Sequence, residues 1–238
     1  MRISELSATS AVATATIKFY QREGLLPPGE ATGPNQASYG VEHVRRLRLI
    51  RALIDVGGLS VASAREVLGA VDSPDLPLAQ VFGSAQRAIS QADLYADPAS
   101  DEATERVRSL VAARGWHVSA GNPGLVGAAN VVDAFGAIGH PELADFLEGY
   151  AEAAEVVARA DLRSVGRQAD VASMAETVVA GTVLGDAMFA ALRRIAQEHI
   201  TFELYPVDAS EAPGHTPLAP GAADAGRDDR RGVTPCPK

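Results

Sequence analysis

Thr16-Ile17-Lys18-Phe19-Tyr20-Gln21-Arg22-Glu23-Gly24-Leu25-Leu26 is the stretch on which the reading of this chain turns. It combines an amphipathic helical pattern with a glycine stop, the usual C-terminal end of a helix. We place the helix over about 13–23. Upstream, Ile3-Ser4-Glu5-Leu6-Ser7-Ala8 reads as a short helix, joined by a small-residue turn around Ser10–Ala11. Two short helices joined by a tight turn make a helix-turn-helix, whose second helix enters the DNA major groove.

Downstream, Pro27, Pro28, Gly29, Gly33 and Pro34 predict an irregular hairpin ending at Ser38–Tyr39. From Val41 onward, Val44, Leu47, Ile50, Leu53 and Ile54 recur at helical spacing, with Arg45, Arg46, Arg48 and Arg51 on the other faces. Gly57–Gly58 ends that helix, and Ser60 is a good N-cap for the next. Together these residues resemble the winged-helix DNA-binding domain of the MerR family of bacterial transcription regulators. The resemblance rests on Ile3 to Leu6, Val12, the Thr16–Leu26 block, Tyr39, Val44-Arg45-Arg46-Leu47 through Gly57, and Ser60. It covers under a third of the chain.

Three positions depart from the family pattern. Its turn glycine is Ala11 here, its capping serine is Ala13, and the arginine two residues before the wing tyrosine is Ala37. Losing the cap costs about 1 kcal/mol unless Thr14 or Thr9 replaces it. The DNA-binding candidates are Thr14, Lys18, Tyr20, Arg22, Tyr39, Arg45, Arg46 and Arg48. Lys18 and Arg22 lie one turn apart, within reach of phosphates, which fix register without reading bases. Small residues at the start of the recognition helix leave little for direct base readout, so DNA shape carries more of the specificity.

The 238 residues bear 21 basic and 30 acidic side chains, a net charge of -9, which at first argues against nucleic acid. The charge is unevenly spread. Residues 1–71 hold eight basic and six acidic side chains, so the remainder carries -11. Two modules with different partners are expected. The amino terminus has no signal-peptide pattern, and the apolar run Val178–Leu192 is too short to span a membrane, so a cytoplasmic protein is expected.

Helices are expected at 78–94, 100–114, 124–138, 141–160, 162–170 and 173–198, with no strand pattern among them. The fold class is mainly α: a winged helix-turn-helix domain (1–72), a linking or dimerisation helix (76–96), an all-helical effector domain (99–205) and a disordered tail (206–238). The resemblance implies a homodimer joined through helix 78–94, acting with RNA polymerase on promoter DNA whose shape it alters. The bland alternative is that this helix packs within its own chain.

Cys236 is the only cysteine, which excludes a disulfide framework and any multi-thiolate metal or iron–sulfur site. Within the family, that leaves an organic effector or none. The five histidines show no ligand spacing, and neither catalytic signature nor cofactor motif is present, so no enzyme is expected. The large side chains Trp116, Phe135, Tyr150, Met174, Met188 and Phe189 are candidates to line an effector pocket, on the expectation that Val178–Leu192 is a buried central helix. The rival reading is a ligand-independent regulator whose helical domain serves oligomerisation or protein contacts.

Overall fold

A computed structural model describes residues 1–33, 36–90, 98–168 and 171–205. The structure begins with α1 (Ile3–Ser10), α2 (Thr14–Arg22) and a hairpin of β1 (Glu30–Gly33) and β2 (Gln36–Ser38). The strands pair antiparallel, with Glu30 opposite Ser38 and Ala31 opposite Ala37. Next come α3 (Val41–Arg51), a π-helical turn (Ala52–Val56), α4 (Val61–Val71) and α5 (Leu78–Ile89). The second half holds α6 (Asp101–Ala113), α7 (Pro123–Ala137), a 3-10 turn (Pro141–Asp145), α8 (Phe146–Val165) and α9 (Val171–Leu204). The chain is mainly helical with a small wing, as expected. Where two helices were expected over 141–170, one helix, α8, follows the 3-10 turn. The expected tail 206–238 and the end of helix 78–94 lie outside the described residues.

Local chemistry explains the ends of several elements. Gly24 adopts φ +72°, the left-handed conformation that stops α2 without Cβ strain. Ser60 caps α4 by accepting from Ser63 N at 3.0 Å, and Ser100 caps α6 by accepting from Ala103 N at 3.1 Å. Ser100 also ties α6 to α7, since its N and Oγ donate to Asp133 at 2.7 and 2.6 Å. Those two bonds hold the Asp133 carboxyl below its ordinary value.

The main core is built from Leu6, Ile17, Leu25, Leu47, Ile50, Leu53, Val67 and Leu68 of the first seventy residues. Val81 and Ala85 of α5 join it, as do Val165 of α8 and Ala175, Val178, Val179 and Val183 of α9. The boundary expected near residue 72 is therefore not a boundary of packing. Val183 of α9 packs against Gly57 just after the π turn, covering apolar surface that would otherwise face water. A second cluster holds only Ala103, Val107 and Ala129.

By contacts the chain divides into Met1–Ala191 and Leu192–Lys238. Two expectations about α9 fail. Only its N-terminal half is buried; Met188, Leu192 and Ile195 are exposed. Val178–Leu192 is also not an isolated short run: Ser173–Leu204 forms one stretch long and apolar enough, by length and composition, to cross a membrane. The same holds for core helices of soluble proteins, and Val178, Val179 and Val183 sit in such a core.

Candidate nucleic-acid interface

Helix α2 has two clean faces. Ile17 and Tyr20 are buried beneath it, while Lys18 and Arg22 are exposed. Thr14, Lys18 and Arg22 follow one another at intervals of four, so they form a single row along the helix. Among the described residues neither Lys18 nor Arg22 has a carboxylate partner, and the same is true of exposed Arg48 on α3. Cations without internal partners keep their full charge for an anionic surface.

The two helices meet at strained ground. Ala11 has φ 54° and ψ 31°, left-handed backbone in a residue with a Cβ. Ala13 caps α2 and its side chain makes no hydrogen bond, so neither Thr9 nor Thr14 replaces the missing serine cap.

The remaining DNA-binding candidates sit in other settings. Tyr20 and Tyr39 are each only 7% exposed, and their rings belong to the core. Burial, reinforced by the Asp55 carboxylate, raises the Tyr20 phenol above its ordinary value. Tyr39 packs edge-on against His43 and its hydroxyl accepts from Gln21 Nε2 at 3.4 Å. Its backbone clasps the chain terminus: Tyr39 N donates to Met1 O, and the Met1 amine donates to Tyr39 O, both at 2.9 Å.

The arginines of α3 divide by partner. Arg46 donates from Nε to Leu25 O at 2.9 Å and from both Nη atoms to Asp72 at 2.8 and 2.6 Å. Its side chain is only 12% exposed, so it is a strut within the fold rather than a free cation. Arg45 pairs with Glu176 of α9 at 2.9 Å. Arg51 pairs with Asp55 at 2.8 Å. A sequence pattern shows four arginines; only the partners separate their roles.

Arg45 and Glu176 stand at the edge of a cleft of about 600 Å³. Leu49 of α3, Val71, Leu76, Leu78 and Val81 around the α4–α5 link, and Ala175 of α9 give it an apolar lining. None of the six effector candidates lines it. The structure does not bring those six together. Met174 packs against the main core. Trp116 lies under the Arg114 guanidinium at 5.9 Å. Phe135 meets Phe146 edge-on and Tyr150 lies tilted against the same ring, while Met188 and Phe189 are exposed. Side-chain size alone does not say which helices face each other.

The signature described as MerR HTH family regulatory protein matches residues 1–70. A solved structure from Streptomyces coelicolor A3(2), SCO5550, whose proposed role is transcriptional regulation, is 37% identical with TM-score 0.62, spanning 87% of this chain and 99% of that one. The chain belongs to the MerR family. As a MerR protein it is a DNA-binding transcription regulator by lineage, and Thr14–Arg22 lies within the matched region. Two curated MerR relatives are each 37% identical over 68 residues: heavy metal-dependent transcription regulator 2 of Rhizobium meliloti and the HTH-type regulator HmrR of Sinorhizobium medicae. The match covers 29% of this chain and 46% of each relative, so this chain spans under half the length of the curated proteins it matches.

Proposed function

We propose that this MerR protein binds promoter DNA as a homodimer, alters the shape of that DNA, and does so in response to a small organic effector in the cytoplasm. The row Thr14, Lys18 and Arg22 carries the reading, because its two cations are exposed and uncommitted on the face of α2 opposite the core. Arg48 adds a further uncommitted cation. Thr14 is the one polar side chain among Ala13, Thr14 and Ala15, so contacts to the backbone and the deformability of the site dominate over base readout. RNA polymerase is the proposed partner at the promoter.

The junction cleft supports an organic effector. Its volume falls within the range of small-molecule sites, and its lining joins aliphatic side chains such as Leu49, Leu78 and Val81 to charged ones, Arg45, Arg46, Asp72 and Glu176. The metal dependence named for the Rhizobium relative concerns a protein that matches this chain over 68 residues only. Among the described residues no three His, Cys, Asp or Glu side chains are grouped to hold a metal ion. The ligand-independent alternative draws on the positions of Trp116, Phe135, Tyr150 and Phe189, none of which lines the cleft beside Arg45.

The test is fluorescence anisotropy with the promoter of the chain's own transcription unit and a scrambled duplex, at moderate salt. Selective binding that weakens steeply with salt is expected. Equal affinity for the two duplexes defeats the reading.

A further inference from the structure

The promoter-binding reading proposed above, on which this inference rests, leaves one cation of the first module without a role. Of the eight basic side chains in residues 1–71, four are committed within the fold: Arg45 to Glu176, Arg46 to Asp72, Arg51 to Asp55 and Arg65 to Glu23. Lys18, Arg22 and Arg48 are exposed on α2 and α3. The eighth is Arg2, which leads into α1. It is exposed too, and its guanidinium pairs with no carboxylate among the described residues.

The wing lacks such a charge. Between Arg22 and Arg45 the sequence holds no lysine or arginine, while Glu23, Glu30 and Glu42 are acidic. Glu30 is exposed on β1, so the hairpin taken alone repels a phosphate. The fold brings Arg2 to it. Met1 and Tyr39 exchange both backbone hydrogen bonds, at 2.9 Å each, as opposite residues of an antiparallel pair do. Glu5 Oε2 accepts from Arg2 N at 2.7 Å, which fixes the backbone of Arg2 from the α1 side as well. Arg2 thereby lines a cleft of about 480 Å³ with Thr32, Gln36, Ala37 and Ser38 of the hairpin. Among the described residues the side chains of Thr32, Gln36 and Ser38 have no hydrogen-bond partner, so three neutral donors stand uncommitted beside the cation.

We propose that Arg2 contacts a DNA phosphate alongside the wing and supplies the cation that the hairpin lacks. The first helix of a helix-turn-helix crosses the phosphate backbone, and Arg2 stands at the entry to that helix. A guanidinium offers a planar fork that matches phosphate oxygens, and Ser, Thr and Gln donors bond the same oxygens. Glu5 also lines the cleft, but its carboxylate is engaged by Arg2 N, on the backbone side of the arginine. A phosphate contact here carries no base information; it fixes how the first module sits on the duplex.

The experiment compares the full chain with Arg2→Ala and Arg2→Lys by anisotropy on the promoter and scrambled duplexes across a salt series, with thermal melts of all three. Arg2→Ala should weaken binding to both duplexes and lower the slope of log affinity against log salt by about 0.9 for each chain bound. Arg2→Lys keeps the charge and should keep the native slope. The three thermal midpoints should lie close together, because Arg2 is exposed and its backbone bonds survive either substitution. An unchanged slope in Arg2→Ala overturns the proposal. So does an equal loss in both variants, which makes the residue structural, and so does a loss confined to the promoter, which makes it a base reader. The two duplexes separate this contact from the function. A native chain that selects its promoter while Arg2→Ala keeps the slope removes the contact and leaves the function. A native chain that binds both duplexes equally, yet loses slope in Arg2→Ala, does the reverse.

Discussion

Arg46 and Asp72 are locked in a two-pronged bond, Nη1 to Oδ1 at 2.8 Å and Nη2 to Oδ2 at 2.6 Å, which ties the middle of α3 to the end of α4. The third prong of the guanidinium holds Leu25 O, fixing the turn after the recognition helix. Arg46→Ala should cost about 2 kcal/mol of stability, because charge-assisted bonds are lost and a carbonyl is left underpaired. Arg46→Lys should recover less than half, since an ammonium cannot reproduce the planar fork. Chemical denaturation of the two variants measures both.

Lys18 and Arg22 should behave in the opposite way. Replacing either with alanine should shift the thermal midpoint little and weaken promoter binding. Each loss of a phosphate contact should reduce the slope of log affinity against log salt by about 0.9. Anisotropy titrations across a salt series read the slope. An unchanged slope in both variants removes them from the interface.

The strained turn before the recognition helix can be relieved. Ala11→Gly should stabilise the fold by about 1 kcal/mol, because glycine accepts φ 54° without a Cβ penalty. Ala13→Ser should add about 1 kcal/mol by supplying the cap that α2 lacks. Both are read as higher denaturant midpoints at unchanged slope.

Gly57 faces Val183 so closely that a Cβ on it would lie 2.2 Å from Val183 Cγ1 and 2.7 Å from Leu53 O. Gly57→Ala should therefore cost 1–3 kcal/mol, the usual range for overpacking. Adding Val183→Ala should not restore full stability, because the backbone clash with Leu53 remains. Thermal melts of the single and double variants distinguish the two contributions.

Asp186, though its side chain reaches solvent, has a raised carboxyl, mainly through partial desolvation and secondarily through the nearby Asp161 carboxylate. Its folded form holds a proton more tightly than its unfolded form. Stability from this group is therefore present at low pH and lost as pH rises from the ordinary carboxylate value through the raised one. Asp186→Asn should raise the thermal midpoint at pH 7, with the gain shrinking as pH falls below that window. A gain independent of pH would assign the effect to packing instead.

Much of the first module was legible because its signals are local. The stop at Gly24, the periodic Val44, Leu47 and Ile50, and the cap at Ser60 are each read from a few neighbours. The missing cap at Ala13 was legible too, since it depends only on which side chains lie within reach of the helix start. What escaped depends on partners remote in sequence. Arg45 and Arg46 look alike beside each other, yet their partners, Glu176 and Asp72, lie 131 and 26 residues away. The burial of Val178, Val179 and Val183 against the first module follows from the path of the chain, not from their own spacing. The effector candidates do not line the cleft beside Arg45 for the same reason: large side chains on separate helices do not declare their neighbours.

The valines of α9 have a consequence for how the protein is made. The core cluster of the first module includes Val183, which packs against Gly57 after the π turn. At synthesis rates of roughly 5–20 residues per second, the first seventy residues emerge from the ribosome several seconds before their last packing partner exists. During that interval the surface at Gly57 that Val183 covers stands open to solvent. The DNA-reading end, although written first, is finished almost last, so an abandoned nascent chain would carry a sticky, incomplete reader rather than a working one.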